Sequence, residues 1–239
     1  MLPSESMGFT LFVPVLNEIE GMKVIMPQIP EGLFSQVLVS DGGSTDGSAE
    51  WAKSMGYDVH IQRKKGLRYA YTEAFPLIRN EYVVTFSPDG NCKPEDLQTI
   101  VDKLKEDYDV VVASRYMEGS RSEDDDIVTA FGNWLFNRVI NFVHNANYTD
   151  AMTIYRGYRK SLFYELDIDN DESYVTEKLF FTVIGIEPLI SVRAAKRKLK
   201  VIEIPSIEPK RIYGKRKLQV IRWGGALMTQ VLREKYYWR

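Results

Sequence analysis

Cysteine is almost absent from this chain of 239 residues, where Cys92 stands alone. One thiol closes no internal disulfide, and its solitude argues for a reducing compartment. Histidine is nearly as scarce. His60 and His144 are the only two, which excludes a histidine-rich metal centre. No run reaches roughly 18 uninterrupted apolar residues, so no membrane-spanning helix is expected. The N-terminus lacks the basic-then-apolar pattern of a secretory leader, and the expected location is cytoplasmic. No internal repeat and no low-complexity linker interrupts the chain. Net charge is small too, at −2, but it is unevenly spread. From Ile190 to Arg239 there are 14 Lys and Arg against 3 Asp and Glu. Such a stretch suits an anionic partner: phosphates, a membrane surface or nucleic acid. A solvated helix face is the plainer alternative.

What is present is ordinary globular material, 44% hydrophobic and 27% charged, enough for one large domain with a real core. Apolar runs alternate with helical patterns. "FTLFVPVLN" (9–17), "SQVLVSDGG" (35–43), "YDVHIQR" (57–63), "EYVVTFSPDG" (81–90) and "YDVVVASRY" (108–116) read as strands. "GMKVIMPQI" (21–29), "STDGSAEWAKSMG" (44–56), "GLRYAYTEAFPLIR" (66–79) and "KPEDLQTIVDKLKED" (93–107) read as helices. The second of these opens with a capping pattern, and the last has proline at its start and acids in its first turn. "EGSRSEDDDI" (118–127) is a charged loop. "VTAFGNWLFNRVINFVHN" (128–145) is apolar at helical spacing and is expected in the core, with a surface for a greasy partner as the alternative. A helix is expected over "IEPLISVRAAKRKL" (186–199), a strand over "KVIEIP" (200–205) and a basic turn over "IYGKRKL" (212–218).

Strands alternating with helices predict an α/β fold, a mostly parallel sheet covered on both faces. Open parallel sheets gather ligands at the carboxyl ends of their strands. That rule places Asn17, Asp41, Asp89 and Arg115 on one rim. The stretch "SPDGN" (87–91) reads either as a tight turn or as a binding loop, since all its residues favour turns.

The ordered set "VPVLNE" (13–18), "VLVSDGGSTDGS" (37–48), "SPDGNCKPEDL" (87–97) and "VVVASRYMEGS" (111–120) resembles family 2 glycosyltransferases. The later "TDAMTIYRGYRKSLF", "KVIEIPS" and "RIYGKRKL" are similar to the dolichol-phosphate mannose synthase and polyprenyl-phosphate sugar transferase branch. The resemblance covers roughly residues 9 to 218. It implies a GT-A (Rossmann-like) fold over 1–218, with a nucleotide-binding half (about 9–118) and an acceptor half (about 119–218); the apolar residues on one helical face of the last stretch add a C-terminal basic amphipathic helix (219–239) as an appendage. It implies inverting transfer of a sugar from a nucleotide-diphosphate donor to a polyprenyl phosphate or a glycan. No nucleic-acid partner is expected, and an oligomer stays open.

Residue by residue, the resemblance makes Asp89 the main ligand of a Mg²⁺ or Mn²⁺ ion, with Asn91 as a neutral oxygen ligand. Such an ion neutralises the charge that grows on a departing diphosphate. The family's motif carries a first aspartate where this chain has Ser87, which weakens the expected metal site. Asp41 matches the residue that reads the nucleobase, with Gly42 and Gly43 allowing close approach. Pro14, Asn17 and Glu18 match the loop beneath base and ribose, although Asn17 and Glu18 also read as a helix cap. Arg68, Arg115, Arg211 and Lys217 are the expected partners of phosphate groups. Asp150 matches an acceptor-side aspartate, and Glu177 and Glu187 are candidate bases. Trp223, Tyr236, Tyr237 and Trp238, with Arg222, Arg233 and Lys235, have the composition of a membrane-surface helix. Two other readings stand beside this one. The first is a degenerate nucleotide-sugar-binding protein. The second is a sugar nucleotidyltransferase, disfavoured because "VPVLNEIEG" lacks a glycine-rich basic loop.

Overall fold

The computed structural model describes residues 7–212 and 220–238. Seven strands form one sheet in the order β3-β2-β1-β4-β7-β5-β8. These are β1 (Phe9–Val15), β2 (Gln36–Asp41), β3 (Asp58–Ile61), β4 (Tyr82–Thr85), β5 (Val110–Ser114), β7 (Arg156–Arg159) and β8 (Val201–Pro205). All pair in parallel except β7, which lies antiparallel between β4 and β5. A small ribbon joins β6 (Arg121–Ser122) to β9 (Ile207–Glu208). The mostly parallel α/β sheet is the expected one. β7 was hidden in the polar stretch 149–166, where no apolar alternation marks it.

Six of the seven β1 residues are buried, as a strand covered on both faces requires. Its alternation splits the core. Phe12 points to one side, where Tyr71, Phe75, Tyr158 and Phe163 gather. Leu11 and Val13 point to the other, with Met22, Phe86 and Leu97. Helices α1 (Ile19–Ile25), α2 (Ser48–Ser54) and α4 (Asp96–Lys105) serve the second side. Helices α3 (Leu67–Ala74), α6 (Leu162–Glu165), α7 (Thr176–Phe180), α8 (Glu187–Lys196) and α9 (Val220–Tyr237) serve the first. α3 ends where Pro76 forces a short 3₁₀ turn, Phe75–Leu77.

Helix α5 (Ile127–His144) corrects an expectation. It is a helix, but much of its apolar surface faces outward, while Phe136, Val139 and Ile140 pack inward. Ile127 is 89% exposed, Phe131 60%, Trp134 53% and Phe142 90%. The inward side carries Thr129, Asn137, Ile140 and His144. The polar ones are needed there. Asn137 donates Nδ2 to Thr149 O at 2.7 Å and accepts from Ala151 N at 2.9 Å. His144 Nε2 meets Val231 O at 2.8 Å. The helical spacing was legible; which face sits inside was decided by these backbone groups.

α9 belongs to the core rather than standing off it. Trp238 is buried, donates Nε1 to Asp167 at 2.6 Å, and lies under Arg193 and Arg197. Arg193 and Glu234 are both fully buried and paired through two hydrogen bonds of 2.9 and 3.1 Å. Part of the basic, aromatic composition expected at a membrane surface is thus spent inside.

Candidate active site

The carboxyl ends of β1, β2, β4 and β5 open onto one cleft of about 810 Å³. Two loops build its first wall. Asn17 takes a left-handed backbone (φ 53°), which asparagine tolerates, and this turns the chain after β1. Its N–H donates to Ser44 Oγ at 2.8 Å, and its Oδ1 accepts from Thr45 N at 2.8 Å. Glu18 N donates to Ser48 Oγ, and Ile19 N to Asp46. "VPVLNE" and "DGGSTDGS" are therefore clasped together. Burial works to raise the Asp46 carboxyl, but the Ser48 hydroxyl and the Ile19 and Ser48 amides bring it below its ordinary value.

Asp41 ends β2 beneath this wall and is 1% exposed. One oxygen accepts from Gly43 N and Ser44 N, each at 2.8 Å. The other is buried and has no partner among the described residues. An uncompensated buried carboxylate oxygen calls for a donor from elsewhere. Gly42, Gly43, Pro14, Asn17 and Glu18 line the cleft; Asp41 lies below them.

The loop after β4 carries Asp89 and Asn91. Gly90 turns it with φ +96°, and a Cβ there would stand 2.6 Å from Ile212. The backbone of Asp89 also accepts from Ile212 N at 2.9 Å. Asp89 is 5% exposed. Its Oδ1 accepts from Asn91 N at 3.1 Å, and its Oδ2 pairs with Arg211 Nη1 at 3.1 Å. Asn91 donates Nδ2 to Asp124 at 3.1 Å and to Glu208 at 3.3 Å. Those two acceptors fix the amide orientation and leave Oδ1 buried, with no partner among the described residues. Among the described residues no group of three or more His, Cys, Asp or Glu is set to hold a metal. In donor chemistry, the Asp89 carboxylate and the spare Asn91 oxygen are of the kind a hard cation takes when it keeps water and draws its remaining oxygens from a phosphate.

Arg115 follows β5 and is gripped by Asp150 at 2.6 and 3.0 Å in a bidentate pair. Its Nη1 reaches Glu208 at 3.3 Å. Burial works against the Arg115 charge, and Asp150 more than offsets it, so the guanidinium stays charged. Asp150 is wholly buried, outside the cleft lining, and its N–H donates to Glu203 at 2.8 Å. Asp150 therefore acts on the cleft by holding Arg115.

Arg68 and Glu177 find each other instead of the cleft. Glu177 accepts from Arg68 at 2.8 and 3.2 Å, Asp171 accepts from Arg68 at 2.6 Å, and Tyr69 and Tyr174 flank the guanidinium at 4.4 Å. Neither residue lines the cleft. Glu187 does, at the start of α8. It accepts from Tyr71 Oη at 2.7 Å, and burial holds its carboxyl above the ordinary range. Lys217 lies outside the described residues. Sequence reasoning missed Asp124 and Glu208, which join the Asn91 amide, and Asn133 and Phe136 of α5, which line the cleft. The acidic run "EDDD" was the available signal for Asp124, and it reads equally as a solvated loop.

Comparison with known proteins matches this architecture. A family model described as glycosyl transferase family 2 matches residues 10–167. Glycosyltransferase AglJ of Haloferax volcanii is 29% identical over 93% of this chain and 70% of its own. Undecaprenyl-phosphate mannosyltransferase of Micrococcus luteus is 26% identical over 93% and 96%. Dolichyl-phosphate hexose transferase of Haloferax volcanii is 27% identical over 86% and 83%. Among solved structures, glucosyl-3-phosphoglycerate synthase of Mycobacterium tuberculosis, crystallised with Mn²⁺, UDP and phosphoglyceric acid, superposes with a TM-score of 0.69 at 15% identity. It covers 96% of this chain and 78% of its own, a likeness of fold. With its clasped strand-end loops, its Asp89 turn and a family match over most of the sheet, the chain belongs to glycosyl transferase family 2.

Proposed function

We propose that this transferase moves a sugar from a nucleotide-diphosphate sugar to a polyprenyl phosphate. The observation that carries the proposal is the two-sided character of the cleft. Of its lining residues, Asp89 pairs with Arg211 and both Asn91 and Arg115 bond Glu208, whereas Phe136, Met152, Trp223 and Leu227 belong to one hydrophobic cluster. A nucleotide sugar is polar throughout and matches the first part. An acceptor with a charged head and a long apolar tail matches both. The undecaprenyl- and dolichyl-phosphate transferases among the relatives support the same reading.

Asp89 and Asn91 would hold a divalent cation, which supplies charge neutralisation at the diphosphate when bound. Arg115, fixed by Asp150, presents a cation whose position does not wander. Gly42 and Gly43 let the nucleoside come close to the chain above Asp41. In the transfer, an acceptor phosphate oxygen forms a bond to the anomeric carbon while the bond to the diphosphate breaks. The electron pair leaves with the nucleoside diphosphate, and the anomeric configuration inverts. The phosphate is already an anion, so no proton must be removed. Glu187, with its raised carboxyl, is the group facing the cleft that suits a hydroxyl acceptor instead.

The enzyme has to meet its acceptor at a bilayer. No described helix is long and apolar enough to cross a membrane. The outward face of α5 supplies an apolar stripe, and Phe131 stacks on Trp134 at 5.8 Å. We place that stripe against the inner face of a membrane, where aromatic and aliphatic side chains enter the interface.

One observation favours the degenerate binding protein: an oxygen of Asp89 is already held by Arg211. The two readings separate in one assay. Labelled sugar is offered from a panel of nucleotide-diphosphate sugars to undecaprenyl phosphate, with Mn²⁺ and with EDTA. Transfer from one donor, needing metal and reduced at least about a hundredfold by Asp89→Asn, is expected. Donor binding without transfer to any acceptor would favour the binding protein.

A further inference from the structure

Two glycines in the cleft have no local reason to be glycine. Gly132 lies inside α5 and Gly224 inside α9, and neither has a positive φ. Glycine in a helix interior is disfavoured against alanine. A Cβ at either position meets no atom of the described residues within 4 Å. The adjacent Gly225 is different: there a Cβ would sit 2.3 Å from Phe180. Packing explains Gly225 and does not explain Gly132 or Gly224. Both unexplained glycines line the cleft.

We infer that the groove between α5 and α9, floored by Gly132 and Gly224, seats the first isoprene units of the acceptor. The inference rests on the polyprenyl-phosphate reading above. Phe136, Trp223 and Leu227 give the groove apolar walls, and it runs into the same cleft as Asp89 and Arg115. A chain lying there keeps its phosphate at the polar end. Val128 also lines the cleft, yet it is 63% exposed and adjoins the outward apolar stripe of α5. The tail therefore leaves the groove beside the surface that faces lipid. Side chains at the two glycines would fill the passage without disturbing a packed neighbour.

The test has two arms. In the first, Gly132→Leu and Gly224→Leu are assayed for transfer to undecaprenyl phosphate. Both substitutions favour the helix, so folded protein is expected, checked by circular dichroism. The KM for undecaprenyl phosphate should rise at least about tenfold, with the affinity for the nucleoside diphosphate unchanged. In the second arm, a polyprenyl phosphate carrying a diazirine on its second isoprene unit is photolysed with the wild-type protein. Adducts are mapped by mass spectrometry, and they should fall on Phe136, Trp223 or Leu227. Transfer with unchanged KM in both variants, and adducts only on the outer face of α5 or at a contact between copies, would overturn the groove and leave the transferase reading standing. Adducts in the groove without any transfer would uphold the groove and overturn the acceptor's role as substrate.

Discussion

Arg211 and Asp89 are the two residues whose relation decides how the polar end works. Their 3.1 Å ion pair puts a guanidinium against the carboxylate that is proposed to hold a cation. A cation held there would have to share Asp89 with Arg211 or displace it, and a displaced guanidinium would be free to meet a diphosphate. Arg211→Ala should therefore tighten Mn²⁺ binding by the free protein, by roughly tenfold, about the worth of one charge-assisted hydrogen bond. The same variant should weaken nucleoside diphosphate binding in the presence of metal by a similar factor. Titration calorimetry measures both, and a variant that weakens metal and nucleotide together would contradict this arrangement. At this scale the sequence was legible wherever a motif fixed a position at a strand end, as for Asp41, Asp89 and Arg115. It was not legible where two matching residues neutralise each other. Arg68 and Glu177 lie 109 positions apart, and nothing in either local pattern announces their pair.

Among the elements, α5 carries the most consequence. Its outward stripe predicts attachment driven by apolar burial and little by charge, because acidic residues Glu123 to Asp126 precede the helix. The protein should float with phosphatidylcholine vesicles, and the binding should persist in high salt. Phe131→Ser with Trp134→Ser should abolish flotation while the melting temperature stays within a few degrees, since both side chains are more than half exposed. Loss of binding in high salt alone would point to the basic residues of the C-terminal region instead. The other face of α5 is pinned by His144. Burial lowers its pKa below the ordinary 6.5. The unfolded chain then takes up a proton that the folded one resists. The stabilisation from neutral His144 is complete above about 6.5 and is lost as pH falls through the lowered value. His144→Gln keeps a donor for Val231 and removes the titration. Its melting temperature should change less than that of the wild type between about pH 7 and 5. The period of α5 could be read from sequence, but its orientation could not. Inward Asn137 and His144 with outward Phe131 and Phe142 invert the usual sign, and the partners Thr149, Ala151 and Val231 explain why.

The whole molecule is less divisible than its motif order suggests. Ala226, Leu227 and Trp238 of the C-terminal region lie in the same core as Phe12 of the first strand. Removing residues 219–239 should therefore yield an aggregating chain with no cooperative melt, which circular dichroism and scanning calorimetry would register. A soluble, nucleotide-binding truncation would contradict the shared core. The parallel strands could be read from the first half of the sequence because each is an apolar run between helices. β7 could not, because its residues "RGYR" owe their place to Arg156. That side chain is fully buried and tied to Thr153, Ser191 and the carbonyls of Ala151 and Glu187.

The insertion of β7 also sets a timetable for synthesis. While the chain is still emerging from the ribosome, β4 is finished at Thr85, but its neighbour arrives only with Arg156–Arg159. β5 likewise waits for β7, and then for Val201–Pro205 on its far side. For tens of residues of elongation the nascent sheet carries a bare edge rich in valine, which is a surface for mispairing with other chains. Stalling translation between Thr85 and Arg156 should therefore convert product into aggregate, whereas a stall after Arg159 should do so less.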